Sequence, residues 1–388
     1  MSNLPCRQHS SAARSGEFGM LARLFLRLGF TAFGGPAAHI AMMEDEVVRR
    51  RQWLTHDDFL DMISACNLIP GPNSTEMALH IGQRRAGFTG LVVAGLSFIT
   101  PAALITIALA WVYVTFGRMP QIAGVLYGIK PVIIAIVVQA IARLARSVLR
   151  TPLLIGISIA ATAAALMGVD EMVILLVAGA LVIVARRLSS EFAPTVAASA
   201  LGAASAGTAA SVPFSLGTLF LFFLKVGAIL FGSGYVLLAF LQADLVDRRR
   251  WLTQSQLLDA VAIGQITPGP VSSTATFVGY LLGGTRGAVV ATVGIFLPAF
   301  FFVSLSGPLL PRLRRSPTAG AFLDGVNAGS FALMVAVTWQ LARAAIFDSI
   351  TVIVAVVAAI LLLRFRLNSV WLILFGALIG GVAAVVMH

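Results

Sequence analysis

Residues 68–82 read LIPGPNSTEMALHIG, and residues 266–279 read ITPGPVSSTATFVG. In the first stretch Pro70 and Pro72 forbid a continuous helix, and Gly71 admits backbone angles that other residues resist. Asn73, Ser74 and Thr75 then fall in the first turn of a new helix. That turn has N–H groups without intrahelical partners and carries the positive end of the helix dipole. The second stretch repeats the pattern with Thr267, Pro268, Gly269, Pro270, Ser272, Ser273 and Thr274. A kinked, packed helix whose hydroxyls bond its own backbone would explain one such copy. Two copies favour a cradle for an anion, because exposed backbone at membrane depth persists only inside protein or beside a cavity. The turns after Pro72 and Pro270 are expected to face one shared polar cavity.

The sequence around both copies is apolar. Hydrophobic residues make up 59% of the 388 and charged ones 11%, against roughly 25% charged in a soluble domain. So few charges cannot coat a globular surface, and apolar runs near the roughly 20 residues needed to cross a bilayer recur along the chain. The basic surplus, 27 Lys and Arg against 16 Asp and Glu, would suggest nucleic acid in a soluble protein. Here Arg49–Arg51, Arg143, Arg146, Arg150, Arg186 and Arg187 sit in short loops and at helix ends, the pattern of cytoplasmic anchoring. A lipid bilayer, and not nucleic acid, is the expected partner. Cys6 and Cys66 offer neither a disulfide framework nor metal-ligand spacing, so no cofactor or metal is expected. The polar, basic N-terminus lacks the apolar run of a cleavable signal peptide.

The two stretches belong to a longer repeat. Phe33-Gly34 and Arg50-Arg51-Gln52-Trp53-Leu54-Thr55 recur 198 residues on as Phe231-Gly232 and Arg248-Arg249-Arg250-Trp251-Leu252-Thr253. At the same offset Arg27 falls on Lys225, Gly29 on Gly227 and Asp61 on Asp259. After a one-residue slip Gly82 matches Gly279, Gly90 matches Gly287 and Pro101 matches Pro298. The expected organisation is a polar basic tail (1–18), a first repeat (19–188), a small-residue linker (189–212) and a second repeat (213–388). Each repeat reads as a first helix (19–42 or 213–241) and two short pieces around Pro-Gly-Pro (56–68 with 73–83, or 254–266 with 271–282). Four longer helices follow: 86–115, 121–147, 151–167 and 171–186, or 286–311, 318–346, 349–363 and 368–387. The short pieces reach only about 20 and about 16 Å, less than a hydrocarbon core of about 30 Å. They form either one broken crossing or a re-entrant hairpin. A hairpin leaves about five crossings per repeat and inverts the second repeat; a broken crossing gives six and parallel repeats. Inversion is the commoner design with such elements and is the expectation adopted. The fold class is thus an all-α integral membrane protein of two homologous, inverted repeats.

Several charges lie within apolar sequence. Arg27 and Lys225 occupy matched positions in the first helix of each repeat, where a cation at the membrane centre costs roughly 2.5–3.5 kcal/mol. Either they meet an anionic substrate or they snorkel to the interface. Lys130, in GIKPV, lies deeper, and its counterpart is Asn327; it is the best single candidate for a buried counter-charge. Asp61 and Asp259, at matched positions, and Glu76 are candidates for proton coupling. For the two aspartates the alternative is a salt bridge to an arginine such as Arg50 or Arg248. Asp324 is a further acid in apolar sequence, and His39 and His80 are candidate relays, although a lone histidine is more often a satisfied interior group. No P-loop, nucleophile elbow, HExxH or dinucleotide fingerprint is present, so no enzyme activity is expected.

At these motifs the chain resembles the chromate ion transporter family in its two-domain form. The residues that carry the resemblance are Phe33-Gly34-Gly35-Pro36, Arg50 to Thr55, Pro70 to Glu76 and Ala94-Gly95 with Pro101. In the second repeat they are Phe231-Gly232-Ser233-Gly234, Trp251-Leu252-Thr253 and Thr267 to Pro270. The resemblance spans about 19–387, and the string Pro-Gly-Pro-Asn-Ser-Thr-Glu is specific. It implies a bacterial inner-membrane carrier that exports chromate, confers resistance and uses the proton gradient, with its halves in opposite orientations. The second repeat departs from the motif, with Val271 and Thr274 in place of Asn and Glu, so the halves need not contribute equally. Sulfate has the same tetrahedral dianionic form as chromate, and these residues do not separate the two. A passive anion channel and a membrane-embedded enzyme on lipid phosphates are the competing readings. Pairing of two chains as a homodimer is left open.

Overall fold

The structure, a computed structural model, describes residues 11–188 and 213–386 apart from Arg118, Gly232, Ser233, Arg366 and Asn368. The linker 189–212, most of the N-terminal tail with Cys6, and Gly232 with Ser233 of the second-repeat motif therefore lie outside the described residues. No strand occurs among the described residues. The first repeat comprises α1 (Ser11–Thr31), α2 (Pro36–Glu44), α3 (His56–Cys66), α4 (Asn73–Phe116), α5 (Pro120–Val148), α6 (Pro152–Leu166) and α7 (Glu171–Leu188). The second comprises α8 (Leu216–Ile229), α9 (Leu237–Phe240), α10 (Gln254–Ile266), α11 (Thr274–Arg315), α12 (Pro317–Ala345), α13 (Ser349–Arg364) and α14 (Ser369–Val386).

Two of the expected helices are interrupted. The first, expected over 19–42, stops at Thr31 and resumes at Pro36. Gly34 and Gly35 take φ of +102° and +79°, which a helix cannot accommodate, and Pro36 has no N–H to give to the turn before it. Its counterpart, expected over 213–241, ends at Ile229 and restarts as a 3₁₀ turn at Gly234–Val236. Neither segment is one continuous helix. After each break the chain continues through a π-helical stretch, Asp45–Arg50 or Leu241–Arg248.

The Arg-Trp-Leu-Thr runs are turns with a clear division of labour. Gln52 and Arg250, at matched positions, hold φ of +51° and +52°. The Trp53 and Trp251 N–H groups donate to Val47 and Leu245 carbonyls at 2.8 Å. Arg51 and Arg85 stack on Trp53, and Arg249 on Trp251. Thr55 and Thr253 then cap α3 and α10 by accepting the N–H of Asp58 and Gln256.

The pieces expected at 73–83 and 86–115 form one element, α4, folded back at Ala86-Gly87. Their counterparts form α11, folded at Gly283-Gly284. At the first fold Gly82 lies against the backbone of Gly90, and at the second Gly279 lies against Gly287. The positions are those that matched in the sequence. A side chain at either would meet backbone. The remaining helices follow their expected bounds within a few residues.

Among the described residues, and counting each folded element once, four helices are long and apolar enough to cross a membrane: Asn73–Phe116, Ile122–Val148, Val271–Ser306 and Pro317–Ala345. Pro152–Leu166, Leu216–Ile229, Ser349–Arg364 and Ser369–Ala383 are shorter apolar helices. Leu104, Trp111, Ile159, Phe301, Ile353 and Trp371 stand exposed on these helices. So much exposed aromatic and aliphatic surface suits a lipid solvent. The chain is a multi-pass membrane protein.

Candidate functional site

The Pro-Gly-Pro turns end α3 and α10 in the interior. The Gly71 N–H donates to the Leu230 carbonyl at 2.8 Å, and the Gly269 N–H donates to the Ala32 carbonyl at 2.9 Å. Leu230 and Ala32 are themselves 198 residues apart. Each tip thus bonds the frayed end of the broken first helix in the other repeat. Thr106 Oγ1 adds a contact of 3.5 Å to Thr267 Oγ1 across the same junction.

Beyond the first tip α4 begins at Asn73, and beyond the second a 3₁₀ turn, Val271–Ser273, leads into α11; both stretches are polar and sealed. Ser74, Thr75, Glu76, Ser272 and Ser273 are each 2% exposed or less. The hydroxyls of Thr75, Ser272 and Ser273, and both carboxylate oxygens of Glu76, have no hydrogen-bond partner among the described residues. Leaving a buried polar group unpartnered costs about 1–3 kcal/mol. Asn73 differs: half-buried, it donates through Nδ2 to Asn67 Oδ1 at 3.2 Å. The Glu76 carboxylate lies directly over Gly71, in the space a Cβ would occupy. Thr267 donates to the Ile263 carbonyl and Thr274 to the Val271 carbonyl, so those two hydroxyls are satisfied locally.

The cations singled out in the sequence are neutralised by acids. Arg27 pairs with Glu46 at 3.2 Å, and Lys225 with Asp244 at 3.4 Å. Glu46 and Asp244 are again 198 residues apart, so each first helix is bonded to its own returning segment. Lys130 sits 3.1 Å from Asp259 Oδ1 and donates to Ser255 Oγ at 2.8 Å, while the Tyr113 hydroxyl donates to Asp259 Oδ2 at 2.8 Å. The expected counter-charge and one of the expected coupling acids are therefore partners of each other. Arg50 and Arg248 do not take the aspartates: Arg50 pairs with Asp45 and Glu46, and Arg248 with Asp170, Glu171 and Asp244. Asp61 is exposed where Asp259 is buried. Asp324 pairs with Arg186. His39 Nε2 lies 3.0 Å from the Ala32 carbonyl oxygen, and His80 is buried on α4.

Two cavities lie at helix ends, away from the tips. One, of about 150 Å³, is lined by Trp53, Leu54, Asp58, Ile81, Arg84 and Arg85; there the Thr55 hydroxyl, bonded to Asp58, holds that carboxyl below its ordinary range. The other, of about 160 Å³, includes Glu171, Gln242, Asp247 and Arg248.

The structure adds Glu46, Asp244, Tyr113, Thr106, Tyr235, Asn67 and Gln265 to the residues the sequence pointed to. Asn67 and Gln265 stand at the repeat offset, three residues before each Pro-Gly-Pro, so the repeat alignment held a signal for them. Tyr113 and Thr106 have no such mark, because their partners lie in the other repeat.

The family model for chromate transporters matches residues 19–185 and again 217–381. The chain is 35% identical to the chromate transport protein of Cupriavidus metallidurans, over 95% of this chain and 94% of that one. It is 36% identical to the chromate transport protein of Pseudomonas aeruginosa, over 92% of this chain and 90% of that one. No solved structure matches it. With a family model covering both repeats and relatives aligned over nearly their full length, the chain belongs to the chromate transporter family.

Proposed function

We propose that this protein is a secondary active carrier that exports chromate, and the similar dianion sulfate, across a bacterial inner membrane in exchange with protons. The observation that carries the reading is the set of sealed, unpartnered hydroxyls beside the Pro-Gly-Pro tips: Thr75 in the first turn of α4, and Ser272 and Ser273 in the 3₁₀ turn that leads into α11. Such turns attract negative charge with about 0.3–2 kcal/mol each, enough together for moderate affinity and ready release. The relatives named for chromate transport supply the substrate. Since Arg27, Lys225 and Lys130 each have an acidic partner, the attraction falls to the helix ends and hydroxyls. Glu76, with both oxygens unpartnered, is the coupling acid this arrangement favours; Asp259 is engaged by Lys130 and Asp61 lies exposed.

In this reading the Pro-Gly-Pro elements are re-entrant hairpins. Supporting it, Asp58 at the start of α3 pairs with Arg84 at 3.6 Å, just before the fold in α4, so both arms reach the same end. The repeats are inverted. Supporting that, Gln83, near the fold of α4, donates to the carbonyl of Ser304, far along α11 from its own fold. Reciprocally, Tyr113, far along α4, meets Asp259 in the N-terminal half of α10.

Uptake of labelled chromate into inverted vesicles, with and without an imposed proton gradient, tests the reading. Gradient-dependent uptake is expected, and Ser272→Ala with Ser273→Ala should raise the apparent Km about tenfold by removing hydrogen bonds to a charged ligand. Uptake that ignores the gradient points to a channel. An unchanged Km in the double variant removes the hydroxyls from the site.

A further inference from the structure

We propose that the cavity beside the fold of α4 binds the headgroup of an aminophospholipid, with Arg84 and Arg85 taking its phosphate and Asp58 its ammonium group. The cavity encloses about 150 Å³, and these three charged side chains line it together with Trp53. Its setting is a membrane surface. The Arg84 side chain is 64% exposed, and Phe88, four residues on across the fold, is 67% exposed. Charge giving way to bare apolar surface within four residues marks the level where headgroups meet acyl chains, and tryptophan favours the same level. Leu60, two residues after Asp58, is likewise exposed, so apolar surface adjoins the charges on both arms. The three charges are also absent together from the second repeat. Gln256, Leu281 and Leu282 stand at the matched positions there, while Trp251 and Leu252 are kept. The tryptophan turn is thus built without these charges in one repeat, and the other has them gathered around a cavity.

Charge balance and donor chemistry choose among headgroups. Arg84 and Asp58 Oδ1 are 3.6 Å apart, an ion pair too long for a hydrogen bond. The Thr55 hydroxyl donates to Asp58 Oδ2 at 2.7 Å, which leaves Oδ1 with acceptor capacity. Arg85 pairs with Glu17 at 3.4 Å and stacks on Trp53. Two arginines therefore face two carboxylates, and a zwitterion keeps that balance where a purely anionic headgroup would upset it. Arginine forks match phosphate oxygens and bind them through charge-assisted hydrogen bonds. A primary ammonium has N–H groups to give to Asp58 Oδ1. A trimethylated one has none and is recognised by aromatic cages instead, and Trp53, the aromatic residue of the lining, already carries Arg51 and Arg85. Phosphatidylethanolamine meets all of these conditions. Phosphatidylcholine lacks the N–H donors, and phosphatidylglycerol lacks the positive charge.

Thermal melting of the delipidated full-length protein in an uncharged detergent, with each lipid titrated in turn, tests the proposal. In large excess, phosphatidylethanolamine should raise the melting temperature by about 3 °C more than phosphatidylcholine or phosphatidylglycerol with the same acyl chains. Each variant is compared with its own lipid-free melting temperature, so that a loss of stability does not enter the result. Asp58→Asn can still accept the Thr55 hydroxyl, and it should erase the advantage over phosphatidylcholine. Arg84→Gln, at an exposed side chain, should raise the phosphatidylethanolamine concentration needed for half the effect about tenfold. Free phosphoethanolamine and inorganic phosphate, at the same concentrations as the lipid, should leave the melting temperature unchanged. Equal stabilisation by either would assign the cavity to a soluble ligand and overturn the lipid site. Three lipids that stabilise the wild-type protein equally would overturn it without any variant. An undiminished preference for phosphatidylethanolamine in both variants would place lipid recognition elsewhere on the molecule.

Discussion

Gly71 shows how one residue ties conformation to chemistry. Its φ of +148° is one that residues with a side chain rarely adopt, and the Glu76 carboxylate fills the volume a Cβ would need. Gly71→Ala should therefore destabilise the protein twice over, by about 1–3 kcal/mol for the backbone conformation alone and more for the contact with Glu76. Adding Glu76→Ala should recover the contact part and leave the backbone part, which thermal melting of the detergent-solubilised variants can resolve. If the double variant melts no higher than Gly71→Ala, the carboxylate is not held against that glycine. The polar character of this turn was legible in the sequence, because proline, glycine and hydroxyl residues each carry a local meaning. The pairing of Arg27 with Glu46 was not, although both acids of that kind, Glu46 and Asp244, sat in the repeat at one offset. A cation in an apolar helix announces that it needs a partner, and local spacing does not say whether the partner is a substrate or a carboxylate on the segment that folds back.

Among the elements, α10 holds a buried ion pair at Asp259, and the matched Asp61 of α3 is exposed. Lys130 on α5 and Tyr113 on α4 both bind Asp259 on α10, whereas the first repeat has Asp61 exposed and no lysine-for-lysine counterpart, Asn327 standing where Lys130 would recur. Lys130→Met strands a carboxylate whose side chain is 5% exposed, and breaking one side of a buried pair costs about 3–5 kcal/mol. Adding Asp259→Asn should restore most of that stability, while Asp61→Asn alone should change it by less than about 0.5 kcal/mol. Melting temperatures of the four proteins check this, and equal losses for Lys130→Met with and without Asp259→Asn would rule out the pair. Any transport defect of Lys130→Met must be read against the double variant, since the single one loses folding as well. Helix existence was legible from apolar length, and the long helices fell where expected. The break after Thr31 was missed because Phe33-Gly34-Gly35-Pro36 lies within a mostly apolar stretch, where length argued for one helix. Two consecutive glycines at positive φ, followed by proline, are the physical reason it is two.

At the scale of the whole molecule, each half is incomplete without the other. The Gly71 N–H is satisfied by Leu230, the Gly269 N–H by Ala32, and Asp259 by two residues of the first repeat. A repeat protein joined in this manner through its tips should not work as separate halves unless they are co-expressed and dock. The arrangement also bears on orientation. The Gln83–Ser304 and Tyr113–Asp259 contacts both place the outer end of one repeat beside the far reach of the other. Gln52 and Arg250 are exposed, matched turn residues beside Trp53 and Trp251, and they suit single-cysteine labelling in a background where Cys6 and Cys66 are replaced. With a membrane-impermeant maleimide, Gln52→Cys should label from one side of the bilayer only and Arg250→Cys from the opposite side only. Intact cells and inverted vesicles present the two sides in turn, and detergent permeabilisation gives the full labelling level for each. Labelling of both positions from the same side would mean parallel repeats, and then Gln83 could not lie beside Ser304 within one bilayer, because both folds would face the same water.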